Sequence, residues 1–179
     1  MENPNLFVLT GGPGAGKTTV LMELARLGFA HVPEVARQII QEQMATGGRA
    51  LPWGDREEYT RVMLQRSIDS FVEHTPVSKI TFADRGIPDT LCYARLIGFG
   101  EETAIQQACA TYRYARRAFL APPWREIYAT DGERKQDFEE AEQTYRLMKE
   151  VYAECGYEIC ELPKASPNDR AKFIVERLP

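Results

Sequence analysis

Eight consecutive residues, Gly11-Gly12-Pro13-Gly14-Ala15-Gly16-Lys17-Thr18, match the pattern G-x-x-x-x-G-K-[ST]. Glycines let the main chain fold tightly and bring several N–H groups to one point. Those N–H groups, with the positive end of the helix that follows, hold phosphate oxygens. Lys17 would reach the terminal phosphates and the Thr18 hydroxyl would ligate magnesium, so the expected nucleotide-binding set is Gly12, Pro13, Gly14, Ala15, Gly16, Lys17, Thr18 and Thr19. With glycine near 7% of residues, a chance match in a chain of this size is roughly a one-in-a-few-hundred event. The motif alone does not separate a kinase from a GTPase or an ATP-driven switch.

Carboxylates decide what happens to the bound phosphates. Lys79 to Ala83 reads as an apolar strand ending at Asp84, where an acid can serve the metal directly or through water. Arg85 follows at once, a cation able to clamp an acceptor or the transferring phosphoryl group. The plainer alternative is an Asp-Arg turn that caps the next helix. Glu34 follows another short strand, where a carboxylate can take the proton of an attacking hydroxyl. Arg37, three residues on, shares its helix face and is a candidate for binding the acceptor. The alternative for Glu34 is a first-turn acid favoured by the helix dipole.

The elements that must position these residues alternate. Strands are expected at Leu6–Thr10, Phe29–Pro33, Lys79–Ala83, Arg117–Ala121 and Tyr157–Leu162. Helices are expected at Lys17–Leu27, Glu34–Met44, Asp55–His74, Pro88–Ile97, Glu101–Arg116, Gln136–Glu154 and Asn168–Leu178. Short apolar strands alternating with helices call for an α/β fold, a parallel sheet covered on both faces. Ligands of such sheets bind outside the carboxyl ends of the strands, where Gly11–Thr18, Glu34 and Asp84-Arg85 all fall. One domain over 1–179 is expected, with a lid at 124–135 in which Arg125 and Arg134, then Lys135, would meet the phosphates and Gly132 would hinge. A run of mixed charges is also what a solvated surface looks like.

The bulk properties exclude several classes. Twenty-two basic against 26 acidic residues give a net charge of −4, a poor basis for binding long nucleic acid. No apolar run approaches the ~20 residues that span a bilayer, and the first residues lack the basic region of a signal peptide, so a cytoplasmic location is the default and no membrane partner is expected. The four cysteines match neither a CxxC pair nor a zinc ribbon and read as buried free thiols. His31 and His74 read as packing or surface residues. Trp53 and Trp124 lie in loops and could stack on an aromatic acceptor or simply pack. A guanine-reading Asn-Lys-x-Asp motif is absent, which favours ATP over GTP.

Two segments carry a family resemblance. Val32-Pro33-Glu34-Val35-Ala36-Arg37 resembles the strand-to-helix segment of the deoxyribonucleoside kinases that holds their general base, and Phe82-Ala83-Asp84-Arg85-Gly86 resembles their Glu-Arg-Ser segment, whose acid serves magnesium and whose arginine serves the substrate hydroxyl. Over nearly all 179 residues, including Asp84-Arg85-Gly86-Ile87-Pro88-Asp89-Thr90 and Ala121-Pro122-Pro123-Trp124-Arg125-Glu126-Ile127-Tyr128, the chain is similar to a bacterial group labelled only AAA-family ATPase. The chain departs from the kinases in having Asp84 for glutamate and Gly86 for serine, and in lacking an arginine-rich lid motif. It is too short for the helical lid and sensor elements of a ring-forming motor. The resemblance implies a three-layer P-loop NTPase with strand order 2-3-1-4-5. It also implies an ATP- and Mg2+-dependent phosphotransferase in which Lys17, Glu34, Asp84 and Arg85 are catalytic, Thr18 and Asp84 hold the metal, and Glu34, Arg37 and Arg85 face a small-molecule acceptor. A switch module acting on a protein partner and a kinase of nucleotides or nucleic-acid ends remain open, as does assembly into a homodimer.

Overall fold

A computed structural model describes residues 1–127 and 138–179. Five strands form one sheet: β1 (Leu6–Gly11), β2 (Ala30–Val32), β3 (Thr81–Asp84), β4 (Arg117–Ala121) and β5 (Glu158–Glu161). All pairings are parallel and the spatial order is β2-β3-β1-β4-β5, as expected. The helices are α1 (Lys17–Arg26), α2 (Val35–Thr46), α3 (Arg56–Glu73), α4 (Ile87–Ile97), α5 (Glu102–Thr111), α6 (Phe138–Glu154) and α7 (Pro167–Val175), with a short 3-10 turn at Arg125–Ile127.

Alternation along the strands assigns the two faces of the sheet. Leu6, Val8, Ala83, Ala118 and Leu120 point to one side, where α3, α4, α5 and α6 supply Phe71, Leu91, Ile105 and Val151. Phe7, Leu9, Phe82 and Phe119 point to the other, against Val20, Leu21 and Leu24 of α1 and Ile174 of α7. A smaller cluster, Ile39, Ile40, Ala50, Tyr59 and Met63, joins α2 to α3 beyond the sheet edge. Among the described residues no helix is long and apolar enough to cross a membrane.

Most element boundaries shift by one to a few residues from the sequence reading, and two of the shifts have a visible cause. The third strand begins at Thr81 rather than Lys79, because its ladder starts where the Thr81 N–H reaches Asn5 O at 2.8 Å and Thr81 comes level with Leu6. The helix expected to reach Arg116 stops at Thr111. Tyr112 turns extended, and Arg113 pairs with the start of the chain, donating to Met1 O and accepting from Asn3 N, both at 2.8 Å. Asp55 caps α3 as read, accepting from Glu58 N at 3.0 Å.

Register fixes the site. Leu9 lies level with Asp84, and the Arg85 N–H continues the ladder to Leu9 O at 3.0 Å. Val32 lies level with Ala83. The ends of β1, β2 and β3 therefore deliver the glycine-rich loop, Glu34 and Asp84-Arg85 to one edge.

Candidate functional site

The loop between β1 and α1 depends on its glycines. Gly14 and Gly16 have φ of 72° and 77°, the left-handed region that other residues enter only with strain. A Cβ on Gly16 would also stand 3.0 Å from Arg170 Nη1 and 3.1 Å from Ile127 Cδ1. Lys17, 5% exposed, folds back so that Nζ donates to Gly11 O at 3.0 Å and Gly12 O at 3.3 Å. Thr18 is exposed, and the exposed Thr19 hydroxyl donates to Gly16 O at 2.8 Å. From α7, Arg170 supports the loop from beneath. It is 2% exposed, and Nη1 donates to Ala15 O at 2.9 Å. Burial pulls its pKa below the ordinary guanidinium value.

Opposite the loop stands a charged cluster. Glu34 occupies the N-cap position of α2, yet its side chain does not cap the helix. It accepts instead from Arg85 Nε at 2.9 Å, so the ion pair and not the helix dipole sets its place. Arg85 is held at φ 71°, and its Nη1 donates to Asp89 Oδ1 at 3.1 Å. The turn reading for Asp84-Arg85 fails in its detail, since the cap of α4 is Gly86, whose N–H donates to Asp89 Oδ2 at 2.8 Å. Asp84 is thereby left out of the cap, and its buried Oδ1 has no hydrogen-bond partner among the described residues. Burial raises the Asp84 pKa; nearby Lys17 and Arg85 oppose the rise, while Glu34 and Asp89 add to it.

Asp89, not among the expected site residues, is the hub of the cluster. Besides Arg85 and Gly86, the Thr10 and Tyr152 hydroxyls donate to it, each at 2.5 Å. The local sequence signal is its place three residues after the cap Gly86, where an acid can accept from the N-cap N–H. Tyr152 and Arg170 are 63 and 155 residues away from their partners, and no local pattern announces them.

A cavity of about 880 Å3 runs from Pro13 of the loop past Glu34, Arg85 and Asp89. Trp53, Tyr59 and Tyr93 form part of its wall, and Glu140, Thr144 and Met148 of α6 form another. Tyr59 and Tyr93 meet edge to face at 5.3 Å. Ala36 and Ile40 of α2 line the cavity, whereas Arg37 is not among its lining residues. Arg37 stands about 100° further round the helix than Ala36. Trp124 is not in the lining either. Arg125 is exposed with its guanidinium 4.3 Å from the centre of the Phe138 ring. Gly132, Arg134 and Lys135 lie outside the described residues.

Residues 6–170 match the family model described as AAA domain. The chain belongs to this AAA-domain family. No curated protein sequence matches it. Among solved structures, the NadR protein in complex with NR is similar at 24% identity and TM-score 0.73, over 97% of this chain and 51% of that one. The chain thus spans about half the length of NadR. Shikimate kinase from Acinetobacter baumannii aligns at 18% identity and TM-score 0.55, over 97% and 92% of the two chains. Deoxyadenosine kinase from M. mycoides aligns at 12% and 0.58, over 97% and 98%. At these identities the likeness is one of fold: this member of the AAA-domain family is a small P-loop protein of nucleotide-kinase-like architecture.

Proposed function

We propose that the protein transfers the terminal phosphoryl group of ATP to a hydroxyl of a small molecule held in the 880 Å3 cavity. The observation that carries the reading is the continuity of that cavity from the phosphate loop to the Glu34–Arg85 pair. A volume in the usual range for small ligands next to a carboxylate is what a kinase needs and what a switch module lacks. The structures of similar fold hold compatible ligands: NadR with NAD and AMP-PNP, and deoxyadenosine kinase with dATP.

In this reading Glu34 accepts the proton of the attacking hydroxyl. Arg85 orients Glu34 through Nε and, fixed by Asp89 on its other side, is itself held still. Lys17 exchanges its two loop carbonyls for phosphate oxygens. Trp53, Tyr59 and Tyr93 offer aromatic faces that suit a nucleoside or nucleotide acceptor. Magnesium fits the donor set: Asp84 brings a buried carboxylate oxygen with no partner among the described residues and Thr18 an exposed hydroxyl. Among the described residues no cluster of three His, Cys, Asp or Glu could hold an ion alone. That agrees with the habit of magnesium of sharing one or two carboxylates with substrate phosphates. Bound there, it would neutralise charge on the phosphate oxygens.

The test pairs ATP affinity with ADP release for wild type and Glu34→Gln, across nucleosides, nucleotides, sugars and aminoglycosides. The expectation is an ATP affinity changed by less than ~1 kcal/mol and an acceptor-dependent rate lower by about 10²–10⁴-fold, the usual worth of a positioned base. Equal acceptor-dependent rates would remove Glu34 as the base. Slow hydrolysis that no acceptor stimulates would favour the switch.

A further inference from the structure

On the side of the molecule formed by α4, α5 and α6, two cysteines far apart in sequence meet. Cys109 is in the last turn of α5 and is 2% exposed. Cys155 directly follows α6 and is half-buried. One nitrogen joins their main chains: Arg113 Nη1 donates to Cys109 O at 3.4 Å and to Cys155 O at 2.6 Å. The same guanidinium lies 4.3 Å from the centre of the Tyr157 ring, which holds it in place. The two thiols also act on each other's acidity, raising that of Cys155 and lowering that of Cys109. A second cavity, of about 470 Å3, is lined by both cysteines together with Arg95, Gln106, Arg113 and Glu154. It gives a small reagent a route to the sulfurs.

The surroundings divide the labour between the two thiols. The Cys109 thiol favours the thiolate of Cys155 and pulls its pKa below the ordinary value, against the effect of burial, with help from Arg113. Reactive cysteines are found in such electropositive, partly exposed settings. The partner thiol of Cys109 is pushed the other way, by Cys155 and by burial. Cys92, 1% exposed on α4, is pushed up to about 12 by burial, and Cys160 lies apart on β5. Both serve as internal controls.

We propose that Cys109 and Cys155 form an oxidisable dithiol site for hydroperoxides, closing to an intramolecular disulfide that ties the end of α6 to the end of α5. The Cys155 thiolate attacks a peroxide oxygen. The O–O bond breaks, the leaving alkoxide or hydroxide takes up a proton, and Cys155 becomes a sulfenic acid. The Cys109 sulfur then attacks the Cys155 sulfur; the S–S bond forms, the S–O bond breaks, and hydroxide leaves as water with the Cys109 proton. The two thiols are oxidised together and the peroxide is reduced to alcohol and water. A dithiol reductant reverses the reaction by exchange.

The placement gives the bond a consequence. The helix tied at its end carries Glu140, Thr144 and Met148 along the large cavity and Tyr152 against Asp89, so the disulfide would fix one wall of that cavity.

Peptide mapping of the whole protein tests the proposal without any activity assay. The reduced protein is treated with hydrogen peroxide, alkylated, and digested without reduction. The expected product is a peptide pair joined through Cys109 and Cys155, lighter by two hydrogens, with two of the four thiols lost and recovered with dithiothreitol. In Cys109→Ala, Cys155 should stop at a sulfenic acid that dimedone traps. If that variant fails to fold, Cys155→Ser at the half-buried position should abolish the joined peptide while Cys92 and Cys160 stay unchanged. The proposal is overturned if Cys155 passes to sulfinic acid with Cys109 still reduced. A link between molecules, a link through Cys92 or Cys160, or four unreacted thiols would overturn it too.

Discussion

On the acceptor side of the site, Arg85 donates to Glu34 and to Asp89, and Asp89 takes further bonds from Thr10, Gly86 and Tyr152. On the phosphate-loop side, Lys17 rests on two main-chain carbonyls, and among the described residues neither Arg170 Nε nor Asp84 Oδ1 has a hydrogen-bond partner. Both sides are buried, so exposure does not explain the difference. The acceptor side finds hydrogen-bond partners for its charged groups within the chain, and this holds Arg85 at a φ of 71°, a conformation worth about 1–3 kcal/mol of strain. The phosphate-loop side has polar groups whose partners a phosphorylated ligand and its metal would supply. The comparison predicts that breaking the ion pairs of the first side costs stability as well as any turnover that depends on them, whereas mutations on the second side cost turnover without a loss of stability.

The largest effect should come from breaking the self-partnered side. Arg85→Gln leaves Glu34 and Asp89 buried without their shared cation. Removing one partner of a buried ion pair commonly costs about 3–5 kcal/mol, so urea unfolding should show a loss of that size. A loss below ~1 kcal/mol would mean that the cluster is not what holds this edge together. Next comes Lys17→Ala. Lys17 bonds carbonyls at the start of the loop, so circular dichroism should report a retained fold. Turnover should fall about 10²–10³-fold, the cost of removing one preorganised donor from developing charge. Wild-type turnover would end the assignment of catalysis to the loop. Tyr152→Phe is smaller and again structural. It takes one donor from a buried carboxylate, worth roughly 1.5–3 kcal/mol, and should lower unfolding free energy by that amount while leaving ATP affinity unchanged.

Wherever a signal was local, the sequence carried it. The phosphate loop, the five strands and the Asp55 cap each follow from residues within one turn or strand of each other, and the structure holds them within a few residues of where they were read. Glu34 was also readable, but not its partner, because the pair joins residues 51 positions apart. The α5 boundary was missed because helical periodicity continues past Thr111, and a pairing with Met1 and Asn3 ends the helix. Arg170 looked like one more charge on an amphipathic helix. Only the packing of α7 beneath the loop turns it inward, so its place at Ala15 depends on contacts that no short window contains.

Asp84 sharpens the comparison from the phosphate-loop side, with the smallest expected effect and the most informative sign. Burial raises its pKa in the folded protein above that of the unfolded chain, despite the opposing fields of Lys17 and Arg85. The folded state therefore holds a proton on Asp84 up to a higher pH than the unfolded state does. By linkage, stability from this residue is full below the unfolded value of about 4 and is lost as pH rises through the raised folded value. This is the reverse of a salt-bridged carboxylate. Asp84→Asn removes the titration and keeps the shape. Near pH 7 the ligand-free variant should be more stable than wild type by on the order of 1 kcal/mol, the scale of one unmet buried polar group. The advantage should shrink as pH falls and wild-type Asp84 takes up its proton. Turnover should fall in the same variant, because an amide is a poorer magnesium ligand than a carboxylate. Paired urea titrations of both proteins at pH 7 and at lower pH, without nucleotide, measure the difference. A variant less stable than wild type at pH 7 would mean that Asp84 is already satisfied inside the protein, and the contrast between the two sides of the site would fail at the residue proposed to hold the metal.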